Sequence, residues 1–397
     1  MSLLLNVTDN RIEEMAERIF KLQFAREDKL EDEYNDYRKS MMFRDIKYNL
    51  KILEVAVRYD AEDIFQDYAL WLLKLLTSRM EDLSSGRVRE QMISHYQIMA
   101  EVLREEFDWD YQEKVQVYLE NAIRVTKKAE LKEERKEELE GELKEELESE
   151  RKVELEEDVE EEPGEEVAGE VSRMESSAFA DSEESELKRL QFRYLNSLLR
   201  ADKYKARQVI EEALNQDISL EKIYLKVFQQ SLIRAGELWH SGEITVDEEH
   251  YVTGMIQNNM MQLWPRIFAG EKTGQKLLAC TIGNELHEMG VRILCDLMEL
   301  RGWNSIYLGA AVPVDSILSA LAKHKPDLVA LSVTMPFYLE QCEEAVRRIK
   351  ARSEFEDISI AVGGRAFSLA PDLPDKWGVD VMAANAGELA EWAEENI

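Results

Sequence analysis

Cysteine is scarce in this chain: Cys280, Cys295 and Cys342 are the only three among 397 residues. None stands in a Cys-x-x-Cys pair, so neither a disulfide-stapled scaffold nor a structural zinc site is expected. A reducing cytoplasm is the expected compartment. Positive charge is short as well. Fifty Lys and Arg face 82 Asp and Glu, for a formal net charge of −32. Phosphate contacts need a basic face, so direct nucleic-acid binding is not expected. Apolar runs near 18 residues are missing, which argues against a transmembrane helix. The short run Leu3-Leu4-Leu5 has no basic residue before it, so a secretory signal is not expected. What remains is a 45% hydrophobic chain, long enough for two to three domains with real cores.

The charge is unevenly spread. Residues 127–186 hold 26 acidic and 9 basic side chains, about half of the net charge. Leu131, Leu139, Leu143, Leu147 and Leu155 form one thin helical stripe there. Pro163, Gly164, Gly169 and a Ser/Glu cluster follow. Residues 127–185 therefore read as an acidic linker, partly helical and then disordered.

Residues 1–126 read as a helical bundle for sensing or partner binding. Proline is absent from 8–126. The sets Ile46, Leu50, Leu53, Val57 and Phe65, Ala69, Leu72, Leu73, Leu76 keep helical spacing, as do Val88, Met92, Tyr96, Met99 and Leu103. His95 reads as a structural histidine rather than a haem ligand. Trp71, Tyr68, Tyr96 and Trp109 read as core. Residues 186–270 have room for four helices, with Asp202 and Ser219 as candidate caps.

After Gly274 the pattern changes. Short apolar runs begin at Lys276, Ser305, Leu328, Ile358 and Val379, with helical stretches such as Val291 to Met298 between them. Strand alternating with helix predicts a parallel sheet covered on both faces over residues 275–397. Ligands of such sheets bind beyond the carboxyl ends of the strands. The loop after the first run reads Gly283-Asn-Glu285-Leu-His287-Glu-Met-Gly290. An imidazole there is a candidate metal ligand, with Glu285 placed to hold its second ring nitrogen. Gly290 leaves room for a bulky group at the backbone. Ser332-Val-Thr334 ends the third run and Gly363-Gly364 the fourth.

These three motifs resemble the cobalamin-binding domain pattern Asp-x-His-x-x-Gly, Ser-x-Thr and Gly-Gly, with Glu285 where Asp is usual. The resemblance implies a flavodoxin-like domain in which His287 is the lower cobalt ligand and Glu285 orients it. Ser332, Thr334, Gly363 and Gly364 would line the pocket for the cofactor's nucleotide tail. Residues 186–270 resemble the four-helix cap that precedes such domains, through Leu198 to Lys203, Ile223 to Phe228 and Gly236 to Trp239.

Within that cap stand Trp239-His240 and, with nine residues between the Trp and the Glu, Glu249-His250. The spacing resembles the CarH-type photoreceptors, which hold adenosylcobalamin in the dark. There the Trp and the Glu-His pair surround the adenosyl group, and the His after the Trp takes the upper cobalt position after light. The resemblance implies the same places for Trp239, Glu249 and His250, with His240 as upper ligand after photolysis. It does not extend to a DNA-binding domain, because the region before the cap has no Lys/Arg-rich recognition helix. The fold class is thus multidomain α and α/β. The expected function is a cytoplasmic, non-enzymatic cobalamin sensor, with adenosylcobalamin favoured and a signalling protein as partner. The alternative is a corrinoid carrier using methylcobalamin and serving a methyltransferase. Self-association is compatible with either.

Overall fold

A computed structural model describes residues 9–80, 82–104, 109–129 and 183–397. The chain forms two compact units, one of Met1–Lys127 with Leu187–Ile397, the other of Lys128–Glu186. The acidic linker read from the sequence falls in the second unit. Its residues 130–182 lie outside the described ones.

The first unit opens with helices α1 (Asp9–Arg26), α2 (Asp36–Tyr59), α3 (Glu62–Arg79), α4 (Ser85–Arg104) and α5 (Trp109–Lys128). Asn35 caps α2 by accepting the Arg38 N–H, and Asp60 ends it in the left-handed region. The apolar stripes meet as the spacing predicts. Ile46, Leu53 and Val57 of α2, Phe65 and Leu73 of α3, and Val88, Tyr96 and Met99 of α4 are all buried.

The cap follows as α6 (Glu183–Leu199), α7 (Lys203–Asn215), α8 (Gln229–Ser241) and α9 (Val246–Ile267). Asp202 and Ser219 do cap, accepting the Lys205 and Lys222 N–H groups. A π-helical stretch, Ile223–Phe228, runs directly into α8. Its extra residue per turn re-aims the helix. Tyr224 within it donates to Asp296 at 2.9 Å, tying cap to sheet domain. Burial raises the Asp296 carboxyl to about 6 despite that hydrogen bond. Thr245 and Glu248 form a reciprocal capping box that starts α9.

The last part is a five-stranded parallel sheet in the order β2-β1-β3-β4-β5. The strands are β1 (Lys276–Ile282), β2 (Asn304–Val312), β3 (Leu328–Ser332), β4 (Ser359–Gly363) and β5 (Val381–Ala383). Helices α10 (Met289–Leu300), α11 (Val314–His324), α12 (Leu339–Lys350) and α13 (Ala386–Asn396) cover it. Strand β2 is longer than the run Ser305 to Leu308 suggests. Gly309 and Ala311 adopt positive φ and its register to β1 shifts, so hydrophobic alternation stops before the strand does. Chain order reverses between β1 and β3, and a crevice opens beyond their carboxyl ends at such a point. Cap and sheet domain share one apolar core, from Leu190 to Ala393. All three cysteines are buried and free, with burial raising the Cys280 thiol to about 12. Among the described residues no helix is long and apolar enough to cross a membrane.

Candidate cofactor site

A cavity of about 1100 Å³ lies between the cap and the carboxyl edge of the sheet. It is larger than the roughly 300–1000 Å³ of ordinary small-molecule pockets. Ten of the eleven residues singled out from the sequence line it: Trp239, His240, Glu249, His250, His287, Gly290, Ser332, Thr334, Gly363 and Gly364. The eleventh, Glu285, is buried behind His287.

The floor is built by Glu285. One carboxylate oxygen accepts the His287 N–H at 3.1 Å and also takes the ring Nδ1 in a short contact. The other accepts Thr334 N–H at 3.0 Å and Met335 N–H at 2.7 Å. The Glu285 carbonyl accepts from Thr281 Oγ1 at 2.7 Å and from Ala311 N–H at 3.0 Å. One residue therefore ties together the ends of β1, β2 and β3. Burial alone would raise its carboxyl, but the hydrogen bonds from the His287 ring and Met335 N–H prevail and hold it at about 2. His287 is raised in turn, first by its hydrogen bond to Glu285, against burial, with a smaller contribution from Glu249 of the cap. An ionised carboxylate only accepts, so Nδ1 carries a proton, and in the neutral ring Nε2 carries the lone pair. The imidazole is more than half exposed, at 59%. It is a metal ligand's arrangement: fixed tautomer, raised basicity, open nitrogen. The longer Glu reaches the ring directly, with no bridging water.

The inner wall is where β3 and β4 end. Gly364 has φ +96°, and a Cβ there would stand 2.4 Å from the Val333 carbonyl oxygen. A Cβ on Gly363 would meet the Ala383 carbonyl oxygen at 3.0 Å. The two glycines let neighbouring backbones close up, and Ser332 and Leu389 line the same cavity. Gly290, in the first turn of α10, has no atom within 4 Å of where a Cβ would lie.

The roof comes from the cap. Trp239 and His240 stand at the end of α8, Glu249 and His250 in the first turn of α9. Thr253 Oγ1 donates to Glu249 at 2.7 Å and steadies it. The His250 side chain is 72% exposed and its Nε2 lies 3.8 Å from Glu249.

A further wall comes from the N-terminal bundle. Trp71 of α3 lines the cavity and is only partly buried, which corrects its reading as core. Its ring lies 5.3 Å from the His240 ring, nearly parallel at 12°. His240 Nε2 donates to the Trp71 carbonyl at 2.9 Å. Tyr68 also stacks on Trp71, with ring centres 6.0 Å apart. Trp71 stands outside the stripe Phe65, Ala69, Leu72, Leu73, Leu76 of its helix, and the residue it meets is 169 positions away. His95 stays a core residue, its Nδ1 2.9 Å from Gln23 Oε1.

Two stretches match known families. Residues 275–393 match the B12 binding domain, and residues 190–263 match a second family of that same description. Among curated relatives, the trimethylamine corrinoid protein of Methanosarcina barkeri is 22% identical over 186 residues, 46% of this chain and 85% of that protein. The HTH-type transcriptional repressor CarH of Myxococcus xanthus is 31% identical over 147 residues, 36% of this chain. The chain spans about half of that repressor's length, 48%. The solved monomethylamine corrinoid protein of M. barkeri aligns with a TM-score of 0.46 at 20% identity, over 52% of this chain and 98% of that one. Residues 190–263 and 275–393 are the two parts of a B12-binding module, and cobalamin is the cofactor.

Proposed function

From that module we propose a non-enzymatic cobalamin sensor that holds adenosylcobalamin and converts the state of its upper face into a change of domain packing. His287 would ligate cobalt from below through Nε2, the nitrogen Glu285 leaves free. Ser332, Thr334, Gly363 and Gly364 would flank the nucleotide tail, with Gly290 giving clearance. Trp239 offers a flat apolar face to the upper group. Glu249 can accept hydrogen bonds from sugar hydroxyls or an adenine amine, and His250 stands beside it. Bound adenosylcobalamin supplies a cobalt–carbon bond that visible light breaks. His240 supplies an imidazole on the cap side. Output would pass to an unidentified signalling protein in the cytoplasm, without direct contact to nucleic acid.

The observation that carries this reading is the roof. Trp239, His240, Glu249 and His250 converge on one cavity that Trp71 of another domain also walls. A carrier shuttling methyl groups needs that face open to a partner enzyme. The corrinoid-protein relatives, of which this chain covers most, favour the carrier as the second reading.

The two separate on upper-ligand preference. Adenosyl- and methylcobalamin are titrated into wild type and Trp239→Ala, with absorbance spectra before and after green light. The sensor reading expects tighter adenosylcobalamin binding that Trp239→Ala weakens, and a lasting spectral change after light. Equal affinities in both proteins, with no lasting change, remove the sensor and promote the carrier.

A further inference from the structure

The N-terminal bundle touches both halves of the B12-binding module at the mouth of the cavity. On the cap, Ser78 Oγ donates to the His240 carbonyl at 3.1 Å and Arg79 to the Trp239 carbonyl at 3.1 Å. The Arg79 guanidinium also lies 5.7 Å from the Trp239 ring centre. Gly242, just past α8, abuts Ser78 so closely that a Cβ there would lie 3.2 Å from the Ser78 Cβ. On the sheet domain, Asp67 pairs with Arg365 at 2.7 Å, next to Gly364. Arg58 pairs with Glu340 at 2.5 Å, and Tyr59 donates to Glu343 at 2.8 Å.

Ring contacts join these polar ones: Trp71 on His240, Tyr48 with Phe337 at 6.0 Å and Tyr59 with Trp377 at 5.9 Å. The apolar core that joins cap to sheet domain includes no described residue of the bundle. Bundle and module still form one compact unit, so release of α3 from the cap is a local opening whose cost these contacts set.

We infer that the bundle is a lid over the upper side of the cofactor cavity, and that His240 is its latch, exchanged between Trp71 and cobalt. The inference rests on the reading of His240 as upper ligand. A carbonyl only accepts, so in the closed state Nε2 spends its proton on Trp71. Coordination through Nε2 needs that nitrogen's lone pair, so one nitrogen cannot serve both. Turning the ring toward cobalt also breaks its stack on Trp71. Docking of the bundle and coordination by His240 through Nε2 therefore oppose each other. By linkage, each weakens the other by the same factor. The docked bundle reads cofactor state directly, and the acidic linker need not carry the signal.

The test is backbone hydrogen exchange of Glu62–Arg79 in the full chain. Without cofactor, Trp71→Ala and His240→Ala each speed exchange there by roughly three- to tenfold, the worth of an aromatic contact, while β1 is unaffected. With adenosylcobalamin, wild type exchanges slowly in the dark. It speeds up after green light together with a spectrum of cobalt between two imidazoles. Unchanged exchange in both cofactor-free variants overturns the lid and leaves the upper-ligand reading standing. A two-imidazole spectrum with Glu62–Arg79 still protected overturns the exchange of the latch. A water-ligated spectrum after light sinks the upper-ligand reading itself, and the latch with it.

Discussion

Glu285 and Met335 stand fifty positions apart, yet the Glu285 carboxylate accepts the Met335 N–H at 2.7 Å. The same carboxylate holds the His287 ring, so the orientation of one imidazole depends on the packing of β1 against β3. Glu285→Ala leaves the Thr334 and Met335 N–H groups without their acceptor. A loss on the order of 3 kcal/mol is expected in urea denaturation. Cobalamin affinity should fall about 10- to 100-fold as His287 loses its orienting partner. Unchanged stability would mean that water replaces the carboxylate easily.

His287→Ala removes the one imidazole on the cavity floor. Any cobalamin still bound should show benzimidazole or water below cobalt. An absorbance spectrum of the loaded variant decides this, and a persisting imidazole signature from below would refute the assignment.

Gly364 and Gly290 separate architecture from ligand clearance. Gly364→Ala forces a Cβ to 2.4 Å from the Val333 carbonyl at a positive φ, and at least about 2 kcal/mol of stability should go. Gly290→Ala meets open space in a helix, so its thermal midpoint should hold or rise slightly. Its cobalamin affinity should nevertheless fall about tenfold, because the methyl group occupies ligand space. Titration and thermal melts of the two variants check both statements.

Burial lowers His95 from 6.5 to about 4, and its Nε2 has no hydrogen-bond partner among the described residues. The unfolded chain therefore binds the proton more readily than the folded one. His95 favours the fold fully above pH 6.5. That contribution is lost as pH falls toward 4, at about 1.4 kcal/mol per pH unit inside the window. His95→Gln should flatten this acid limb in denaturation series between pH 4 and 7. An equally steep limb in the variant would assign the effect to other groups.

The sequence by itself determined the local elements and the cofactor class. Period-3.6 stripes gave the helices, and short apolar runs between helical stretches gave the parallel sheet. Both rest on side-chain alternation along a few neighbouring residues. Glu285, His287, Ser332, Thr334 and the Gly363-Gly364 pair were legible through the resemblance of their motifs to the cobalamin-binding pattern, and they fall at or just past strand ends, where a parallel sheet presents its ligand-binding edge. Trp239, Glu249 and His250 were legible through the resemblance of their spacing to the CarH-type cap. Tertiary structure alone decided which domain closes the site. Trp71 stands outside the apolar stripe of its helix, so no spacing says what it faces. Its partner His240 is reached only when α3 docks across the cap, through polar contacts that leave no periodic mark in either segment. Nor could spacing show that the Glu285 carboxylate reaches two backbone N–H groups of the β3 loop, because backbone donors are carried by every residue type but proline.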